Sequence, residues 1–504
     1  MHRSSGILLH PTSLPGPHGV GDLGPSARRF VDFLAAAGQG LWQMLPLGPT
    51  GYRDSPYQCT SSLAANPLLI SPDLLLEWGW IQEADLERPE FPSGHVDFGA
   101  VGPWKYALLE RAMAGFEARA TQADRDALAG FCETHRAWLD DYALYHALKT
   151  HHELRPWTDW EPELARRDPG ALADWAARYA NELQLQRFIQ YVFARQWSEL
   201  RAYARARGVR LVGDMPIFVA HDSSEVWTHP EWFQLDEQGC PRVIAGVPPD
   251  YFSSTGQRWG NPLYDWTKVA EDGYAFWVER LRRILELVDL VRIDHFRGFA
   301  AYWEIPASEE TAINGHWVRG PGMALFQALR DALGEDLPLI AEDLGVITED
   351  VEALRDALGL PGMAILQFGF EDLEDGYGAS SFLPHNHRRR LAVYTGTHDN
   401  NTSLGWWQAR QDALRRNISA YLGSDDGSEI HWEFIRAALR STAVMALFPL
   451  QDVLGLGAEA CMNRPGTEEG NWIWRYRDEM LSDASAERLR VLSRLYARTP
   501  YPAE

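Results

Sequence analysis

Short apolar segments of strand length alternate along the chain with longer stretches whose apolar residues recur every three or four positions. The strand-like runs are residues 6–9, 41–45, 209–212, 287–293, 338–341, 363–368, 391–394 and 444–448, and most end in polar or Gly/Pro-rich residues. The stretch before the fourth run shows the helical pattern. Trp277, Leu281, Ile284, Leu285 and Val288 fall on one helical face, with Glu279, Arg280, Arg282 and Arg283 off it. Alternating β and α signals predict a parallel sheet, and eight strands predict an α/β protein built as a closed (β/α)8 TIM barrel. Two connections are too long for a plain barrel. Residues 68–208 form a mainly helical insertion, with helices expected over 135–146 and 181–207, and residues 218–265 an irregular or short-stranded one. The chain, 1–504, thus reads as one barrel domain whose insertions rise from the catalytic face and build substrate subsites.

The fourth run carries the most chemistry. In Leu-Val-Asp-Leu-Val-Arg-Ile-Asp-His-Phe-Arg-Gly-Phe (287–299), strand alternation puts Arg292 and Asp294 on one face and Val291 and Ile293 on the other. A carboxylate beside an arginine stays ionised at neutral pH, as a nucleophile must, although such a pair also serves to close a buried strand end. Three more strand ends carry acids: Asp214, Glu342 with Asp343 on the opposite face, and Asp399 after His398. Four acidic strand ends in one barrel repel each other, a cost that function explains better than structure does. Glycosyl transfer fits them. A retaining mechanism uses an ionised nucleophile, for which Asp294 is suited, and a protonated acid, for which a Glu crowded by carboxylates is suited.

Composition narrows the partners. A formal charge of −23 argues against nucleic acid or an anionic membrane surface. Lys105, Lys149 and Lys268 are the only lysines and none ends a strand, which disfavours Schiff-base or pyridoxal chemistry. Cys59, Cys132, Cys240 and Cys461 have no metal-ligand spacing, and with no leader-like N-terminus a reduced cytoplasmic chain without metal or cofactor is expected. The pair His385 and His387 precedes a strand instead of ending one and reads as a surface turn. The 21 tryptophans suit stacking on sugar rings, though core packing can absorb many of them, Trp42, Trp472 and Trp474 included.

Several longer stretches carry a resemblance. They are Ser-Gly-Ile-Leu-Leu-His-Pro-Thr-Ser-Leu-Pro-Gly-Pro-His-Gly-Val-Gly-Asp-Leu-Gly (5–24), Trp-Gln-Met-Leu-Pro-Leu-Gly-Pro-Thr-Gly (42–51) and Asp-Ser-Pro-Tyr-Gln (54–58). Gly-Asp-Met-Pro-Ile-Phe-Val-Ala-His-Asp-Ser (213–223), Gly-Gln-Arg-Trp-Gly-Asn-Pro-Leu-Tyr-Asp-Trp (256–266), Asn-Arg-Pro-Gly-Thr (463–467) and Gly-Asn-Trp (470–472) continue it. Over essentially its whole length the chain resembles the amylomaltases, 4-α-glucanotransferases of the α-amylase-like clan. The resemblance implies Asp294 as nucleophile, Glu342 as general acid/base and Asp399 as a third carboxylate gripping sugar hydroxyls. It implies that Arg292, Asp214, His295 and His398 line the sugar site, that Gln257 and Trp259 sit on a mobile loop over the glucan, and that Tyr57 and Asn463 flank donor and acceptor subsites. The implied partners are α-1,4-glucans and maltooligosaccharides, with glucose as an acceptor. Arg53 stands where the family commonly has glycine and Cys59 where it has serine, so a rim contact and the chain-length preference are open to change. The rival readings are an α-glucan hydrolase with the same carboxylates, a metal-dependent barrel hydrolase and a non-catalytic glucan-binding protein.

Overall fold

The computed structural model describes residues 3–249, 253–373, 378–424 and 427–500. In chain order the strands are β1 (Ser4–Leu8), β2 (Leu41–Gln43), β3 (Arg210–Pro216), β4 (Val243–Val247), β5 (Gln257–Pro262) and β6 (Leu290–Asp294). Then follow β7 (Ala301–Pro306), β8 (His316–Arg319), β9 (Leu339–Ala341), β10 (Gly362–Ile365), β11 (Leu391–Tyr394) and β12 (Met445–Pro449). Eight of them lie in the order β10-β11-β12-β1-β2-β3-β6-β9, with every neighbouring pair parallel. The two ends of this sheet meet: the Ala341 N–H donates to the Pro361 carbonyl at 2.9 Å, and the Met363 N–H to Asp343 Oδ1 at 2.7 Å. The sheet is a (β/α)8 barrel.

Period-two alternation sorts its side chains. Leu41, Val212, Leu290, Ile340, Met363, Tyr394 and Leu447 form one apolar cluster inside the barrel. Ile7, Leu211, Val291, Ile293 and Val393 belong to the larger cluster between barrel and helices. Two of the expected runs are shared between a strand and a helix. The helix Ala275–Leu287 takes the first residue of the fourth, and the sixth divides into β10 and the helix Leu366–Glu371. A continuous apolar run has no period of its own to mark where a strand gives way to a helix.

Between β2 and β3 the chain is helical, with its long elements at Phe98–Arg119, Gln122–Thr134, Arg136–His151 and Ala180–Arg205. Two buried glutamines peg the last of these to the segment that leaves β2. Gln190 exchanges a pair of hydrogen bonds with the backbone of Ala65, at 2.8 and 2.9 Å, and Gln196 a pair with Ser71, at 2.7 and 3.0 Å. A second sheet, antiparallel, has the order β5-β4-β7-β8. Its first two strands come from the 218–265 insertion, of which residues 250–252 lie outside the described residues. Its other two come from the connection after β6, where the apolar pattern assigned no strand.

Candidate active site

The acidic strand ends meet around one arginine. Asp214 on β3 and Arg292 on β6 are register partners inside the barrel, and the guanidinium Nη1 donates to both Asp214 oxygens at 2.9 and 2.7 Å. Its Nη2 lies 2.9 Å from Asp294 Oδ1. Arg292 and Asp214 are buried, whereas Asp294 opens into the cleft with 30% of its side chain exposed. The arginine is therefore shared. Desolvation, partly offset by Arg292 and reinforced by Asp214 and Asp399, raises the Asp294 carboxyl to about 6.

Glu342 follows β9, the neighbour of β6. Ile293 pairs with Ala341, so Asp294 and Glu342 are the next residues abreast on adjacent parallel strands. Backbone N–H groups of His295 and Leu344 donate to its two oxygens at 2.6 and 3.0 Å. His295 reaches this position with a left-handed backbone, φ +56°, which is rare for a residue with a side chain and recurs at functional sites. Burial and then the Asp294 charge outweigh those donors and raise the Glu342 carboxyl to about 8. Asp399 behaves in the opposite way. Desolvation works against its charge, but His398, 3.2 Å away, and the Asn463 amide, donating at 2.6 Å, hold it down at about 2.

Tyr57 joins these groups. Its hydroxyl donates to Asp214 Oδ2 at 2.9 Å, while its ring stacks on His398 with centroids 5.2 Å apart. Trp259 packs edge-on against His295 at 4.8 Å and donates its ring N–H to Gln257 Oε1 at 3.1 Å. Both residues lie on strand β5, not on a loop, because residues 257–262 pair with β4. The candidate residues thus come together at the C-terminal mouth of the barrel.

Asp343 points the other way. It closes the β9–β10 seam through Met363, and its Oδ2 pairs with Arg355 and Arg388 outside the barrel. Breaking a buried pair leaves a charge without a partner, so Asp343→Ala is expected to destabilise the fold by about 3 kcal/mol while the folded enzyme keeps its turnover. Urea unfolding beside an assay at low temperature measures both. A loss of turnover with unchanged stability would reverse the roles of Asp343 and Glu342.

Other candidates resolve as follows. His385 uses its ring nitrogens on the Tyr421 hydroxyl and the Gly378 carbonyl, and His387 on Ser441 and the Phe382 carbonyl. His387 is buried, so only half of that pair belongs to a surface turn. Among the described residues no group of three His, Cys, Asp or Glu is placed to hold a metal ion. Trp42 packs in the core with its ring N–H on the Leu9 carbonyl, whereas Trp472 faces Tyr57 and His398 at 5.8 and 6.0 Å. Arg53 adopts φ +54°, a reason for glycine there, and pairs with Glu468 at 2.9 Å across the cleft rim. Cys59 makes no rim contact of that kind: its thiol donates to the Pro56 carbonyl, and burial pushes it up to about 12. His10 is a residue that strand-end reasoning passed over. It follows β1 and lines, with His398, Thr397 and Asn400, a small open pocket.

The sequence profile described as 4-alpha-glucanotransferase matches residues 9–481. The chain belongs to the 4-alpha-glucanotransferase family. It is 51% identical over 498 residues to the 4-alpha-glucanotransferase of Thermus thermophilus, covering 97% of this chain and 98% of that one. It is 48% identical over 502 residues to that of Synechocystis sp., covering 99% of each. An amylomaltase from Streptococcus agalactiae, solved in complex with acarbose, superposes with a TM-score of 0.95 at 38% identity, over 99% of this chain and 100% of that one. The activity of this family member is 4-α-glucan transfer, and the hydrolase alternative is not favoured. Among the described residues no helix is long and apolar enough to cross a membrane.

Proposed function

We propose that the chain cuts an α-1,4-glucan and rejoins the glycosyl segment to the 4-hydroxyl of an acceptor glucan or glucose, with Asp294 as nucleophile and Glu342 as acid/base. What carries the reading is that the two carboxyls stand abreast on adjacent parallel strands while their environments push them to different protonation states. Neighbouring strands lie about 4.8 Å apart. That suits the roughly 5–5.5 Å of a retaining pair and not the wider gap that an inverting enzyme keeps for water. Near pH 7 Asp294 is ionised and Glu342 protonated.

In the first half-reaction Glu342 gives its proton to the glycosidic oxygen as Asp294 attacks the anomeric carbon. The bond to the leaving chain breaks and a glycosyl ester forms. In the second, Glu342 takes the proton of the acceptor 4-hydroxyl, whose oxygen displaces Asp294 and restores the α-linkage. Asp399, held anionic, grips sugar hydroxyls beside the ester, with Asn463 and His398 fixing its rotamer. Arg292 and Asp214 hold the floor, and Tyr57 bridges it to His398. Gln257 and Trp259 cover the glucan, and the two insertions supply outer subsites and keep water from the ester. The four free cysteines suit a reducing, cytoplasmic setting.

The test is incubation with maltotriose. Glucose and oligomers longer than the donor are expected without a net rise in reducing ends. A steady rise would show that water, not sugar, takes the ester, and would overturn the reading.

A further inference from the structure

Desolvation works against the Asp399 charge, and of the groups that hold it down at about 2 the His398 ring is the foremost. That service depends on which way the ring is turned. Its Nε2 lies 3.2 Å from Asp399 Oδ2, out of line for a straight hydrogen bond. Tyr57 stacks on the ring with the planes 14° apart, which fixes the plane of the imidazole but not its sense. Turned over in that plane, the ring would offer Asp399 a carbon where Nε2 stands. A hydrogen bond at Nδ1 selects the sense, and with the proton kept on Nε2 it has to be a bond that Nδ1 accepts.

His398 Nδ1 is buried and has no hydrogen-bond partner among the described residues, and the same is true of His10 Nδ1. Both histidines are 5% exposed, and both line the one pocket beyond the ends of β1, β11 and β12. Burial, and then the charge of His398, hold His10 at about 3, so its ring is neutral and carries a single N–H. Other donors around the pocket are committed. Thr397 gives its hydroxyl to Asn400 Oδ1, Gln451 its amide to the Ala460 carbonyl, and Cys461 its thiol to the carbonyls of Asn400 and Asn463. Buried polar atoms without a protein partner are met by ordered water, and this pocket has room for one.

We propose that His10 is a positioning residue for Asp399: its Nδ1–H donates to a water bound in this pocket, and the water donates to His398 Nδ1, which keeps the His398 proton on Nε2 and turned to Asp399. His10 acts on the sugar only through the other two side chains. This role rests on the part given to Asp399 in the transfer reaction and adds the residue that orients it. Asp399 grips hydroxyls hardest as the sugar ring distorts in the transition state, so a loosened Asp399 lowers kcat and moves KM little.

The experiment compares wild type with His10→Ala, His10→Asn and His10→Phe on maltotriose, and repeats His10→Ala in a His398→Ala background. Asn places an amide nitrogen where Nδ1 stands, and Phe keeps the bulk without a donor. His10→Ala is expected to lower kcat roughly five- to thirtyfold, the worth of one buried hydrogen bond, with KM within about twofold. His10→Asn is expected to recover most of that loss and His10→Phe little of it. In the His398→Ala background the same substitution is expected to cost less than about twofold. Wild-type kcat in His10→Ala, or His10→Phe at least as fast as His10→Asn, would make the ring a packing element and overturn the proposal. An undiminished loss in the His398→Ala background would overturn it too, since His10 would then not act through His398. Should His10→Ala fail to fold, the Asn and Phe variants, which keep more of the side chain, decide the matter. A steady rise of reducing ends from maltotriose in wild type would instead remove the transferase reading, and the kcat comparison, followed as hydrolysis, would still test His10.

Discussion

Asp294→Asn is expected to lower kcat on maltotriose by at least about 10⁴-fold, about 5 kcal/mol of transition-state stabilisation, while the fold stands unchanged. The amide matches the carboxylate in shape but forms no ester with the anomeric carbon, so neither half-reaction proceeds. The surroundings tolerate the exchange. Arg292 keeps its two bonds to Asp214, and the lost charge relieves repulsion from Asp214 and Asp399. A carboxyl whose folded pKa is raised to about 6 costs stability that accrues as the pH rises from its unfolded value through that pKa and is complete above it. Removing its charge is therefore expected to hold or raise the melting temperature at pH 7. A dead enzyme with an intact or higher melting temperature separates a chemical role from a structural one, and initial rates of glucose release with thermal unfolding on the same preparation measure both. Turnover within tenfold of wild type would end the nucleophile assignment.

The barrel was legible because each of its strands is an apolar run that stops at polar residues, and burial on both faces leaves such runs little freedom to be anything else. Inside β6 the alternation was legible to the residue, with Leu290 in the barrel interior and Val291 and Ile293 outside it. Less could be read where two elements depend on a distant partner. β7 is stabilised by pairing with β4, whose position no local pattern contains, and β8 by pairing in turn with β7. The choice between Glu342 and Asp343 shows the same limit at the site. Alternation says that only one enters the barrel, but which one depends on the seam with β10, where Asp343 accepts the Met363 N–H. His10 was passed over because its nearness to His398 comes from the pairing of β1 with β12, strands from opposite ends of the chain.

The sharing of Arg292 has a consequence that the residue pattern did not carry. Beside an arginine of its own, Asp294 would titrate low and remain charged in mild acid. Here the guanidinium makes two bonds to Asp214 and one contact to Asp294, and desolvation wins. In the proposed roles, Asp294 is thereby less stabilised as an anion and a better attacking group, and the raised Glu342 next to it holds its proton at neutral pH.

The pH profile is expected to report this pair. Asp294 must be ionised to attack, so kcat/KM rises with pH through about 6. Glu342 must be protonated to release the leaving chain, so kcat/KM falls again through about 8. The result is a narrow bell with its maximum near neutrality, and because each charge acts on the other the two limbs belong to the dyad jointly. Asp399, held down at about 2, is ionised throughout and adds no limb in this range. Glu342→Gln assigns the descending limb. With maltooligosaccharide donors it is expected to cost roughly 10²–10⁴-fold, the usual worth of a general acid. With α-maltosyl fluoride, whose leaving group departs without a proton, the first half-reaction is expected to run close to the wild-type rate. Followed by fluoride release, the variant then keeps the rise through about 6 and shows no fall through about 8. A fall that persists in Glu342→Gln would belong to another group, and Glu342 would lose its place as the acid.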